Sequence, residues 1–167
     1  MTKYVPRPYQ PAITNHIIHN ERSNVFAGMG VGKTPATLEA ISTLLLLGEV
    51  RRVLIVAPKR VAVSTWPGEI ATFNKSFGHL TIAVAVGTEK QRREAIESSA
   101  KLVTINYDNM VWLVGNYGAD WPFDMVVADE STRLKNFRIK QGGKRTQALS
   151  NVAHSKVKRW INLTGTP

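Results

Sequence analysis

The sequence predicts an α/β domain: a parallel β-sheet with helices packed on both faces. Three observations carry this. Aliphatic blocks recur along the chain, among them RRVLIVAP, KLVTIN and FDMVVAD. They lack the polar alternation of a strand with one wet face, so both of their faces should be buried. Helical stretches separate them, as the crossovers between parallel strands require.

In chain order, Val25-Phe26-Ala27 is a strand leading into a glycine-rich loop. Pro35 to Leu47 follows as a helix, with apolar residues near Leu38, Ile41 and Leu45. RRVLIVAP is a buried strand closed by Pro58, and LTIAVAV is another that ends at Gly87. Thr88 is placed to cap the helix EKQRREAIESS, with Glu89 suited to its first turn. KLVTIN and FDMVVAD are strands, Thr146 to Ala153 is helical, and RWINLTG is the last strand. Gln141-Gly142-Gly143 is the expected flexible loop. No repeat, domain linker or low-complexity segment interrupts the pattern.

The totals fit one globular domain. The chain has 167 residues, of which 43% are apolar, enough for one core and too few for two ordinary ones. The longest apolar run, Leu44 to Leu47, ends at Gly48-Glu49, far short of the roughly 20 residues that cross a bilayer. The N-terminus MTKYVPRPYQ has no apolar signal core. With no cysteine, disulfides and thiolate metal sites are excluded, and a cytoplasmic setting is expected.

Charge is informative for where it lies. The net charge is +10, and no Asp or Glu follows Glu130. Residues 131–167 hold nine Lys and Arg, which leaves a net +1 for residues 1–130. Such one-sided basicity is an electrostatic footprint for polyanions. It is weighed against an ordinary solvated face.

The stretch AGMGVGKT, Ala27 to Thr34, has the spacing of a phosphate-binding loop. Ala27 stands where the commonest form has glycine. Gly28, Gly30 and Gly32 let several backbone N–H groups turn towards phosphates. Lys33 would reach the β- and γ-phosphates, and the Thr34 hydroxyl would ligate Mg²⁺. The helix that follows offers its positive end to the anion. The complementary half is FDMVVADES. There Asp129 would hold Mg²⁺ and Glu130 would orient or deprotonate the attacking water. Each half alone is a modest signal. Together they supply what the other lacks.

The chain resembles the first RecA-like lobe of a superfamily 2 helicase-type motor, nearest to the Swi2/Snf2 group of DNA translocases. The resemblance runs in order over nearly the whole sequence. RPYQ resembles an upstream adenine-reading motif, with Gln10 at the base-contacting position. GMGVGKT is similar to motif I, and VAPKRVAVSTWPGEI to motif Ia, with Pro58, Trp66 and Glu69 in place. VTINYDNM resembles the next nucleic-acid-contacting motif, DESTRLKN motif II, and LTGTP motif III. The resemblance implies a RecA-like P-loop NTPase domain over 1–167, an ATP hydrolase with ATP and Mg²⁺ as cofactors, and duplex DNA as partner. It implies phosphate contacts from Lys59, Arg60, Thr104 and Tyr107. These would position the polymer without reading its sequence. It also implies coupling roles for Thr164 and Thr166.

The sequence departs from the group in places. The usual acidic pair before the glycine loop is replaced by Ala27-Gly28, and Ser131-Thr132 stands where a small residue and histidine usually follow the acid pair. Pro35 directly after Thr34 is unusual, though proline is tolerated in a first helical turn. These changes suggest a divergent bacterial or viral branch. The sequence ends just after motif III, so a second RecA-like lobe bearing an arginine finger is expected from the same protein or a separate chain. Such a finger is worth about 10³–10⁵ in rate. This chain alone should therefore bind ATP weakly and turn it over slowly.

Bland readings are preferred elsewhere. His16 and His19 read as ordinary helix histidines, Arg51-Arg52 as a turn, Arg92-Arg93 as a solvated helix face, and Trp66 and Trp160 as core. Lys59 and Arg60 are equally compatible with a solvated loop. Two competitors remain: a RecA-like binding module without motor activity, and a P-loop enzyme of another group. The second leaves LTGTP unexplained.

Overall fold

A computed structural model describes residues 2–26, 32–130, 152 and 155–165. The expected parallel sheet is present. Its strands are β1 (Arg22–Phe26), β2 (Val53–Ala57), β3 (Ile82–Val84), β4 (Leu102–Asn106), β5 (Met125–Asp129) and β6 (Arg159–Thr164). They lie in the order β1-β6-β5-β2-β4-β3, and every pairing is parallel. The helices are α1 (Gln10–His19), α2 (Lys33–Leu46), α3 (Trp66–Thr72), α4 (Asn74–Phe77), α5 (Glu89–Glu97) and α6 (Met110–Tyr117).

The unalternated aliphatic blocks have the expected cause: β2, β4 and β5 are buried at every position. Their side chains divide strictly by parity. Val53, Ile55, Leu102, Met125, Val127, Ile161 and Leu163 join one cluster with α1, α2 and α3. Leu54, Val56, Val103, Ile105 and Val126 join the other with α5 and α6. The period of two thus feeds two separate cores.

LTIAVAV is strand over three residues only, at the sheet edge. Thr88 caps α5 in a full capping box: its hydroxyl accepts from the Gln91 N–H, and the Gln91 side chain accepts from the Thr88 N–H. Pro35 lies in the first turn of α2, where its missing N–H costs little. The helix expected at Thr146–Ala153 and the loop at Gln141-Gly142-Gly143 lie outside the described residues, save Val152.

Arg52 is more than a turn residue. Its guanidinium donates to the carbonyls of Ala95, Ile96, Ser98 and Ala100, at 3.3, 2.6, 2.9 and 2.8 Å. It also lies 5.1 Å from the Phe123 ring centroid. It thereby satisfies the carbonyls that α5 leaves open at its C-terminus. Arg159 does the same for α1 through Ile17 and Ile18. Arg52→Met should cost about 2–4 kcal/mol, because charged donors are lost and carbonyls are left unpaired. Urea unfolding should show a lower midpoint at unchanged m-value.

Candidate nucleotide site

The strand order brings the end of β1, which precedes the glycine-rich stretch, close to the acid pair. β1 ends at Phe26, which pairs with Thr164 on β6, and Leu163 of β6 pairs with Asp129 of β5. The ends of β1 and β6 and the acid pair therefore share the carboxyl edge of the sheet, the usual ligand edge of such folds.

Gly32 precedes α2 with φ +72°, a left-handed conformation that favours glycine. Its carbonyl accepts from Gln10 Nε2 at 3.1 Å, while Gln10 Oε1 accepts from the Arg7 N–H at 2.7 Å. Gln10 is buried and ties the N-terminal segment to the loop's end. Beside it lies a cavity of about 210 Å³, lined in part by Tyr4, Arg7, Gly32 and Glu69. Burial pushes the Tyr4 phenol up to about 12, and its buried hydroxyl has no partner among the described residues. Burial also raises the Glu69 carboxyl. Lys33 and Thr34 open α2, both half-buried. Gly28, Gly30 and Thr166 lie outside the described residues.

Asp129 is 7% exposed. Parity along β5 places it with Met125 and Val127 on the face of α2 and α3. Burial raises its carboxyl above the usual range. The Trp66 indole, the positive charge of Lys33 and the Glu130 N–H oppose that rise, and the Glu130 charge adds to it. The indole Nε1–H donates to Oδ2 at 3.0 Å, and the Tyr107 hydroxyl donates to the Asp129 carbonyl at 2.6 Å. Glu130 is exposed and has φ +53°, the left-handed region that few non-glycine residues occupy. Thr164 is buried.

Lys59 and Arg60 are exposed just after β2 and form no ion pair among the described residues. The hydroxyls of Thr104 and Tyr107, two residues named for phosphate contact, are engaged within the fold. Both are buried. Thr104 sits on β4 facing the first core and donates to Ala62 O at 2.8 Å, while the Tyr107 hydroxyl is spent on Asp129. Within the basic segment, buried Arg159 caps α1 and Lys158 pairs with Glu49 at 3.4 Å. These two charges serve the fold. Trp66 is fully buried, and half-buried Trp160 packs on the second core. Arg93 pairs with Glu89 at 3.0 Å, and both Arg92 and Arg93 lie against the Trp112 ring. The His19 ring bonds to Asn15 O within α1, the His16 ring meets Asn20 just past its end, and no cluster of three or more metal-binding side chains occurs among the described residues. The residues that sequence reasoning missed are Arg52 and the donors Trp66 and Tyr107 as partners of Asp129. Only a model of the packing reveals such long-range bonds.

A lysine at a helix start after a glycine-rich stretch, with a buried aspartate at the end of a parallel strand, is the arrangement of a P-loop nucleotide-binding domain. The chain matches the family described as the type III restriction enzyme res subunit over residues 3–167. It belongs to that family. Protein p41 of Acyrthosiphon pisum secondary endosymbiont phage 1 is 50% identical over all of this chain and 36% of its own length. The Gallus gallus DNA repair and recombination protein RAD54B is 33% identical over 83% of this chain and 15% of its own length. The Sulfolobus solfataricus SWI2/SNF2 ATPase core in complex with dsDNA superposes with a TM-score of 0.76 at 24% identity, covering 99% of this chain and 33% of that one. The chain thus spans about a third or less of these relatives. The Swi2/Snf2-like RecA fold expected from the motifs is the fold observed, and no helix among the described residues is long and apolar enough to cross a membrane.

The raised Asp129 carboxyl makes a signed prediction. The folded state holds this proton more tightly than the unfolded chain, so its contribution to stability falls as pH rises from about 4, the ordinary aspartate value, through the raised folded value. Asp129→Asn should remove that loss. Without nucleotide and metal, its melting temperature should exceed wild type near pH 7.5, and the gap should close towards pH 4.

Proposed function

We propose that this chain is the ATP-binding lobe of a DNA-dependent translocase. The observation that carries the reading is one of placement: Lys33 opens α2 directly after Gly32, and buried Asp129 ends β5 at the carboxyl edge of the sheet. Gly28, Gly30 and Gly32 would cradle the phosphates with their N–H groups, and Lys33 would neutralise phosphate charge. The base would enter the cavity beside Gln10, whose amide would add to or exchange its bonds to Arg7 and Gly32.

The acid pair suits Mg²⁺. Asp129 and Glu130 repel one another, and a divalent cation would relieve that repulsion. Thr34 and Asp129 would hold it, with water and phosphates completing the shell, as Mg²⁺ prefers. When bound, the metal would offset charge on the phosphates. Glu130 would take the proton of the attacking water or orient it. Thr164, one residue past Leu163, the β6 partner of Asp129, and Thr166 beyond it would pass changes at this edge to a second lobe.

DNA, duplex in this reading, would lie along the helical turn that carries Lys59 and Arg60. Support comes from the ordered motifs, the basic segment and the relatives' printed descriptions. A second RecA-like lobe, in the same protein or a partner chain, would supply an arginine to the phosphates. The work would take place in the cytoplasm of a bacterial or virus-infected cell, a setting suggested by the phage relative.

The test is ATP turnover by this chain completed with a second lobe, with and without duplex DNA. Duplex DNA should stimulate turnover, and Lys33→Ala should return it to background. Turnover indifferent to DNA contradicts the translocase reading.

A further inference from the structure

A hydrogen-bonded path joins the segment after β2 to Asp129. Residues Val61–Thr65 form a π-helical turn between Lys59-Arg60 and α3. The Ala62 N–H donates to Pro58 O at 2.9 Å, Ala62 O accepts from Thr104, and the Trp66 N–H closes on Val61 O. The Trp66 indole then reaches Asp129 Oδ2, and Tyr107, just after β4, grips the Asp129 carbonyl. π-turns are rare and cluster at functional sites. This one has a definite geometric effect. Removing its extra residue would turn all that follows by about 100° around the helix and carry the indole away from Asp129. An indole N–H can be satisfied by any carbonyl. Here it is fully buried and spent on a carboxylate, which fixes that group's rotation.

We propose that Trp66 and Tyr107 are positioning residues that hold Asp129 for its metal and make metal binding responsive to a DNA strand held by the 58–66 segment. The inference rests on the readings of Asp129 as a magnesium-binding carboxylate and of the Lys59-Arg60 segment as a DNA contact. Partners of metal-binding side chains typically change metal affinity by about 10–100-fold when removed.

The experiment titrates Mg²⁺ against binding of a fluorescent ADP to the whole chain, with and without duplex DNA. DNA should lower the Mg²⁺ midpoint of the wild type. Trp66→Phe keeps the ring and removes the donor. It should raise the midpoint about 10-fold and abolish the DNA-induced shift, with ADP affinity at saturating Mg²⁺ close to wild type. Tyr107→Phe removes a single oxygen and should shift the midpoint in the same direction. It carries the test if Trp66→Phe does not fold. Wild-type midpoints and DNA shifts in both folded variants overturn the proposal, as does a wild type whose midpoint ignores DNA. Asp129→Asn separates the two levels. If it leaves the Mg²⁺ dependence intact, the magnesium reading has failed, whatever Trp66 does.

Discussion

A carboxylate is costly to bury, and this fold buries one at the end of a central strand. Asp129 loses most of its water on folding, and its neighbours offset only part of that cost. Trp66, Tyr107, Lys33 and the Glu130 backbone are all arranged around this residue. They come from α3, the turn after β4, the start of α2 and the turn after β5. Four connections of the sheet thus converge on one group. A sequence under pressure for stability alone would favour an apolar residue there, as it does at Met125 and Val127 on the same face. The retained charge and the left-handed Glu130 beside it mark the place where stability yields to chemistry.

The sheet makes that convergence possible by keeping two cores apart. Odd positions of β5 face α2 and α3, and even positions face α5 and α6. A one-residue slip would exchange the faces and turn Asp129 away from Lys33 and Trp66. Several arginines serve this frame. Arg52 and Arg159 close the ends of α5 and α1, and Arg22 donates to Val157 O. Basic charge in the sequence is therefore not all available to a polyanion. Exposed Lys59 and Arg60 contrast with these spent guanidinium groups.

Much of this was legible in the sequence, for physical reasons. Short aliphatic blocks without alternation, bounded by turn residues, fit strands covered on both faces, so β2, β4 and β5 were readable. Thr88 with Gln91 three residues on carries its own cap signal. The glycine loop and Asp129-Glu130 were legible because their chemistry admits few residue types. Other features depend on partners distant in sequence. Thr104 and Tyr107 look like available hydroxyls in VTINYDNM, and only packing turns them towards Ala62 and Asp129. Arg52 reads as a turn because its four acceptors lie more than 40 residues away. The π-turn before Trp66 has no local signature in VAVST, and the edge strand β3 stops at Val84, short of its aliphatic run.

The central claim is that nucleotide binds at the carboxyl edge of the sheet between α2 and β5. Amide hydrogen exchange with and without Mg²⁺–ADP tests it most directly, since it reports location without requiring turnover. Protection should rise at Gly32–Thr34 and at Asp129-Glu130, and stay unchanged at the opposite edge, around Val50 and Lys101. Protection confined to another surface, or none at saturating nucleotide, would contradict the account.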